Sequence, residues 1–286
     1  MEMVTQAHHS YFDGHGKVSH SGYHFLDCVI RFWRAGMASG KAADQLEVTS
    51  SFVRPRGLIK QLTKADYSRL FGVGYQEACT MDDASLHSRM ADFGEIDAET
   101  TVTFLAEEEP VALASISLLH NGFSRRAWLK PAADLYKGNG RVKHEQHRIH
   151  VGPFICLQIN SYQAKDKHGT CAADDFEIGG NNHFELVIFR NVDMLGGGLP
   201  VEKLRLDQLG SPQQLDASRL HIDQIKESAV GEFLAFIRGD LSRDQLRSDL
   251  RDHAMSVRLM SAVYRSYAQK LHGCSPLVKT PWSNSP

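Results

Sequence analysis

Residues 97–122 read DAETTVTFLAEEEPVALASISLLHNG, and the rest of the chain is best read outward from them. Two runs rich in Thr, Val, Phe, Ile and Leu flank the polar stretch Glu107-Glu108-Glu109, an exposed turn carrying Pro110. That composition predicts a β-hairpin, with strands reaching from Asp97 to Leu119.

Upstream, LEVTSSFVRP (46–55) alternates and is rich in β-branched residues, so it reads as a strand that Pro55 ends or marks as an edge. Before it, YHFLDCVIRFW (23–33) places Phe25, Leu26, Val29, Ile30 and Trp33 at helical spacing, with Gly36 as the stop. Downstream, HRIHVGPFICLQINSY (147–162) alternates Ile149, Val151, Ile155, Leu157 and Ile159 against polar or small neighbours, and HFELVIFRN (183–191) is another strand. Short turns join these strands in place of regular helical crossovers, so the sheet should be largely antiparallel. Two helices close the chain. One carries the stripe Val230, Phe233, Leu234 and Ile237 and stops at Gly239. The other carries Leu250, Ala254, Val257, Ser261, Tyr264 and Ala268 and stops at Gly273. The expectation is an α+β fold over 1–286 as a single domain: an open, mainly antiparallel β-sheet with helices packed on one face. With β-branched residues on both sheet faces and helices enough for one, the open face should be apolar and pair two copies into a homodimer.

The 286 residues are 42% hydrophobic and 23% charged, which is ordinary for a globular protein, and 32 basic against 34 acidic residues leave a net charge of −2. A field that small favours neither nucleic acid nor an anionic membrane. Five cysteines, Cys28, Cys79, Cys156, Cys171 and Cys274, are odd in number and never form a C-x-x-C pair, which points to reduced thiols in the cytoplasm. The N-terminus has no basic region followed by an apolar run, and no stretch is long enough to span a membrane.

Chemistry concentrates in SHSGYHFLD (19–27), where His20, His24 and Asp27 stand at i, i+4 and i+7 and would share one helix face. The bland reading is a helix start with polar residues at its end. A metal reading also exists, since His-x3-His on a helix can bind Zn or Fe and Asp27 could add a carboxylate, which would suit a metal-dependent lyase or hydrolase. His144, His147 and His150 look like a second cluster, but on a strand only His144 and His150 share a face, too far apart for one ion, so they read as surface histidines. Arg54 and Arg56 flank Pro55 and could hold a phosphate or carboxylate, and Arg125 and Arg126 follow the hairpin where ligand loops belong. All four are candidate substrate contacts.

The order glycine, one residue, histidine, two residues, aspartate (Gly22, His24, Asp27) resembles the second-domain signature of the glucose-fructose oxidoreductase, inositol dehydrogenase and MocA family (Gfo/Idh/MocA). The hairpin at 97–122 is similar to a strand pair of that family, and FLAFIRGDLSRDQLRSDLRDHAMSVRLMSAVYRSYAQKLHG (233–273), with its YRS turn, is similar to the terminal helices. The resemblance implies an open sheet whose free face forms a dimer interface. It also implies a sugar, polyol or related hydroxy compound as substrate, and NAD or NADP as cofactor of the complete enzyme. His24 falls on the acid or base that exchanges a proton with the substrate hydroxyl, a role a near-neutral imidazole suits. His20 stands where the family often has an aspartate, and Asp27 matches a later aspartate that reads as structural. The chain departs from the family in having no glycine-rich strand–turn–helix: the G-x-G pairs at Gly14 and Gly16, Gly72 and Gly74, and Gly138 and Gly140 each read as a turn, and Glu-Lys-Pro is missing. Leu129-Lys130-Pro131 is not its counterpart. The expectation is therefore a substrate-binding half whose N-terminal nucleotide-binding domain is absent and which alone binds no cofactor. Its alternative is a non-catalytic dimeric ligand-binding or scaffold protein.

Overall fold

The computed structural model describes residues 1–9, 16–36, 43–61, 64–71, 82, 84–85, 88, 94–120, 143–163, 176–209, 216, 219, 221–247 and 249–282. The strands are β1 (Glu2–His9), β2 (Gln45–Val53), β3 (Asp97–Ala106), β4 (Glu109–His120), β5 (Lys143–Val151), β6 (Ile155–Gln163), β7 (Glu185–Arg190), β8 (Val201–Arg205) and β9 (Val278–Pro281). They form one sheet in the order β8-β7-β6-β5-β1-β4-β3-β2-β9. Every neighbouring pair is antiparallel except β1 with β4, which is parallel. The helices are α1 (Tyr23–Gly36), α2 (Pro55–Gln61), α3 (Lys64–Phe71), α4 (Val192–Leu195), α5 (His221–Arg238) and α6 (Ala254–Leu271). The fold is α+β, with an open, mainly antiparallel sheet.

The predicted hairpin is β3–β4, but its turn differs from the expectation. Glu107 and Glu108 both have positive φ, 53° and 70°, and Pro110 lies inside β4 opposite Leu105. Two left-handed residues give the turn whose twist matches its strands, a geometry that normally selects Asn-Gly. The Glu107 backbone N–H is held by the Asp44 carboxylate at 2.9 Å, which helps a glutamate tolerate the position.

Helices α1 and α6 cover one face. From α1 come Phe25, Leu26, Val29, Ile30 and Trp33, as the spacing predicts, and they meet Val102, Phe104, Ala114, Ile116 and Leu118 of the hairpin. The buried stripe of α6 is Met255, Leu259, Ala262 and Val263 with Ser256 and Ser266, rotated from the expected one, so that Val257 points outward. The serines are the reason: they look polar in sequence, yet each is fully buried because its hydroxyl is satisfied. Ser266 Oγ accepts from Ser50 N–H at 2.8 Å and donates to the Pro276 carbonyl at 2.6 Å. The stripe expected on α5 exists but no residue of that helix is buried, Phe233 and Ile237 being 57% and 62% exposed.

The other sheet face is chiefly polar, and this departs from the apolar face expected to pair two copies. Across successive strands it presents Thr49, Thr101, Ser115 and Ser117 with Glu99, then Gln146, Asn160 and Glu185 with Lys203, joined sideways by hydrogen bonds and ion pairs. Threonine is as good a strand former as valine, so β-propensity alone does not say which face is apolar.

His147 also departs from expectation. It is buried beneath α1, its Nδ1 3.2 Å from Thr5 Oγ1 and its ring stacked on Phe25. His144, on the opposite sheet face, stacks on Tyr162. Burial pushes the His147 imidazole below its ordinary pKa, against the weaker pull of Glu145. A histidine depressed in the folded state contributes fully above its unfolded pKa of about 6.5 and loses that contribution as pH falls toward the folded value. The stability of the wild type against denaturant should therefore fall from pH 7 to 5.5 more steeply than that of His147→Gln, by up to about 1.4 kcal/mol per pH unit. Equal slopes would show that His147 binds its proton alike in both states. Among the described residues, no helix is long and apolar enough to cross a membrane.

Candidate functional site

Strands β1, β2 and β4 end at one edge of the sheet, where β3 begins: Val53 is registered with Asp97, Ala98 with Leu118, and His9 with His120. Arg54 and Arg56 follow β2 directly and are exposed. Arg125 and Arg126 follow β4 but lie outside the described residues. His20 and His24 enter from the helix layer.

His20 is carried by a π-helical turn, Val18–Gly22, that runs straight into α1, whose second residue is His24. Its defining bond is Gly22 N–H to Lys17 C=O at 2.8 Å, an i to i+5 closure. Such turns are rare and are frequent at functional sites. Gly22 is needed because the turn presses onto β4, where a Cβ would collide with the Leu118 side chain and the Lys17 carbonyl. The expected single face is not kept: His20 and His24 are exposed, whereas Asp27, three residues after His24 in the same helix, turns toward α6.

Both oxygens of Asp27 are engaged there. Oδ1 accepts from Ser256 Oγ at 2.6 Å and lies 3.5 Å from His253 Nδ1, while Oδ2 accepts from Arg31 Nε at 2.6 Å. Burial alone would raise the Asp27 pKa, but the bonds from Ser256 and Arg31 hold it below the usual carboxylate value. Tyr23 Oη lies 2.7 Å from the same His253 Nδ1, and the Tyr23 ring stands edge-on to His24 at 6.0 Å. Asp27 therefore ties α1 to α6 beside the histidines. No group of three His, Cys, Asp or Glu able to hold a metal ion occurs among the described residues.

Two residues that were not among the sequence's site candidates hold the turn. Glu95, just before β3, is buried and accepts Val18 N–H at 2.8 Å, and its backbone carbonyl accepts Lys17 N–H at 3.0 Å. Tyr264 of α6 donates its hydroxyl to Glu95 Oε1 at 2.8 Å and accepts Ser19 N–H at 3.1 Å. Burial, with the Glu95 carboxylate beside it, pushes the Tyr264 pKa up to about 12. Gly16 has φ 98° and lies so close to the Glu95 carboxylate that any side chain would collide with it.

The same geometry bears on a dinucleotide. A pyrophosphate needs free backbone N–H groups at a helix start after a glycine turn. The described start that follows a G-x-G pair, at Gly16, already has the Glu95 carboxylate against those N–H groups, and a second anion there would be repelled. These residues do not fit the cofactor. The pairs Gly72 with Gly74 and Gly138 with Gly140 lie outside the described residues.

Compared with known proteins, the chain matches no family model, no curated protein and no solved structure.

Proposed function

We propose that this chain is the substrate-binding half of a nicotinamide-dependent oxidoreductase acting on a sugar, polyol or related hydroxy compound. His24 exchanges the proton of the substrate hydroxyl. The observation that carries this reading is His24 itself: an exposed imidazole at the start of α1, directly after the π-helical turn that presses onto β4. A proton-transfer group must reach both ligand and solvent, and an imidazole is suited to take or give a proton near neutral pH. His20, one turn earlier, is placed to bear on the same ligand, and Arg54, Arg56, Arg125 and Arg126 are its proposed polar contacts. The similarity to Gfo/Idh/MocA enzymes supplies the substrate class. NAD or NADP belongs to a separate nucleotide-binding domain, and the odd number and wide separation of the cysteines support a cytoplasmic setting.

Titration of the chain with a hexitol, a hexose and a cyclitol, followed by the histidine ring signals, tests this. Shifts should centre on His20 and His24, while calorimetry with NAD(H) or NADP(H) should show no micromolar binding. Shifts elsewhere, or tight binding of either nucleotide, would overturn the reading.

A second reading, a non-catalytic dimeric binding or scaffold protein, is favoured by α5. Its apolar side, with Ile222, Ile225, Val230, Phe233 and Ile237, is exposed throughout, as is usual for a surface that meets another macromolecule.

A further inference from the structure

We infer that Tyr264 and Glu95 are positioning residues for the histidine turn, fixing where His20 and His24 stand by holding the backbone immediately before them. A helical turn begins with N–H groups that have no partner within it. Here the first two are claimed by one hydrogen-bonded chain. Val18 N–H goes to Glu95 Oε1 at 2.8 Å, Ser19 N–H goes to Tyr264 Oη at 3.1 Å, and Tyr264 Oη–H returns to Glu95 Oε1 at 2.8 Å. Each member is anchored in a different element. Tyr264 belongs to α6 and packs its ring edge-on to Phe52 of β2 at 5.7 Å. Glu95 precedes Ile96, whose N–H binds the Val53 carbonyl at 2.7 Å. The turn is thus tied to the helix layer and to the sheet edge through one carboxylate oxygen, and Gly16, with no side chain, lets that carboxylate approach. His20 follows Ser19 directly, so a change in the Ser19 peptide plane re-aims it and, through the i to i+5 closure, the start of α1.

Using this chain as an acid–base surface rests on the function proposed above, but the clamp does not, and the test separates them. Tyr264→Phe removes one hydroxyl and keeps the ring on Phe52. Glu95→Gln keeps an acceptor oxygen for Val18 and Tyr264, and serves as the conservative rescue. In Tyr264→Phe, amide exchange at Ser19 should rise at least about tenfold, as for an amide that loses the acceptor protecting it. The ring signals of His20 and His24 should move while those of His147 and His183 stay. Glu95→Gln should keep Ser19 protection and the histidine signals close to wild type. Unchanged Ser19 exchange in Tyr264→Phe would overturn the clamp. Loss of Ser19 protection with His20 and His24 signals unmoved would overturn the positioning role. Should both variants behave as expected while sorbitol moves no histidine signal of the wild type, the clamp stands and the proposed function alone fails.

Discussion

Replacing Trp33 by alanine is expected to remove about 3–5 kcal/mol of stability, the usual range for truncating a buried aromatic. Trp33 is 2% exposed on the inner side of α1. Its ring stacks on Phe104 of β3 with centroids 4.3 Å apart and meets Trp282 edge-on at 6.4 Å, while Phe104 meets Trp282 at 5.6 Å. One side chain therefore bonds three parts of the chain that are far apart in sequence: the first helix, the hairpin and the residue after β9. Its loss leaves a cavity between a helix and a sheet, each braced by other contacts, so the site cannot collapse fully. Trp33→Ala and Phe104→Ala should also be strongly non-additive, because each removes the other's partner. Chemical denaturation followed by circular dichroism checks both statements. A loss below about 1 kcal/mol would mean that the aromatic cluster repacks without cost.

His24→Ala should act in the opposite way, on chemistry and not on stability. With a nicotinamide-binding domain joined to the chain, turnover should fall about 10²- to 10⁴-fold, the usual cost of losing a general acid or base. The melting temperature should hardly move, since the ring is exposed and surface substitutions are usually within about 0.5 kcal/mol of neutral. If the proposed function holds, His20→Asp should retain or raise turnover: a carboxylate stabilises a histidinium, whereas a second imidazole offers only a neutral hydrogen bond or a like charge. A destabilised but fully active His24→Ala protein would sink the catalytic assignment.

Much of this fold is legible in the sequence where apolar periodicity is strong. The α1 face of Phe25, Leu26, Val29, Ile30 and Trp33, the hairpin, and the strands around Ile149, Leu157 and Ile188 can all be read from spacing. Strand β1 could not: EMVTQAHH puts Met3 and Thr5 inward, and a buried threonine that bonds a buried histidine does not look like core. The α6 face was misread for a similar reason, because Ser256 and Ser266 are core residues by virtue of their partners. At the candidate site, spacing found His20, His24 and Asp27 but assigned them one common face. Asp27 instead faces α6, where Ser256 bonds it, and the Glu95 carboxylate that reaches Val18 from 77 residues away leaves no local mark. Tyr264 stood inside a recognised segment, yet only its hydroxyl contacts reveal what it does.

The central position of β1 also dictates an order of assembly. It is the one strand joining β5-β6-β7-β8 to β4-β3-β2-β9, so without it the sheet is two separate meanders. Its neighbours are residues 109–120 and 143–151, so during synthesis at about 5–20 residues per second it waits on the order of ten seconds for both edges to exist. Strands β2, β3 and β4 can pair locally in that interval, while β1 keeps at least one row of peptide groups unpaired until β5 exists. A ribosome-bound intermediate that has not yet made β5, with one edge of residues 2–9 still unpaired, is the state in which this strand is most open to capture by chaperones or by another strand.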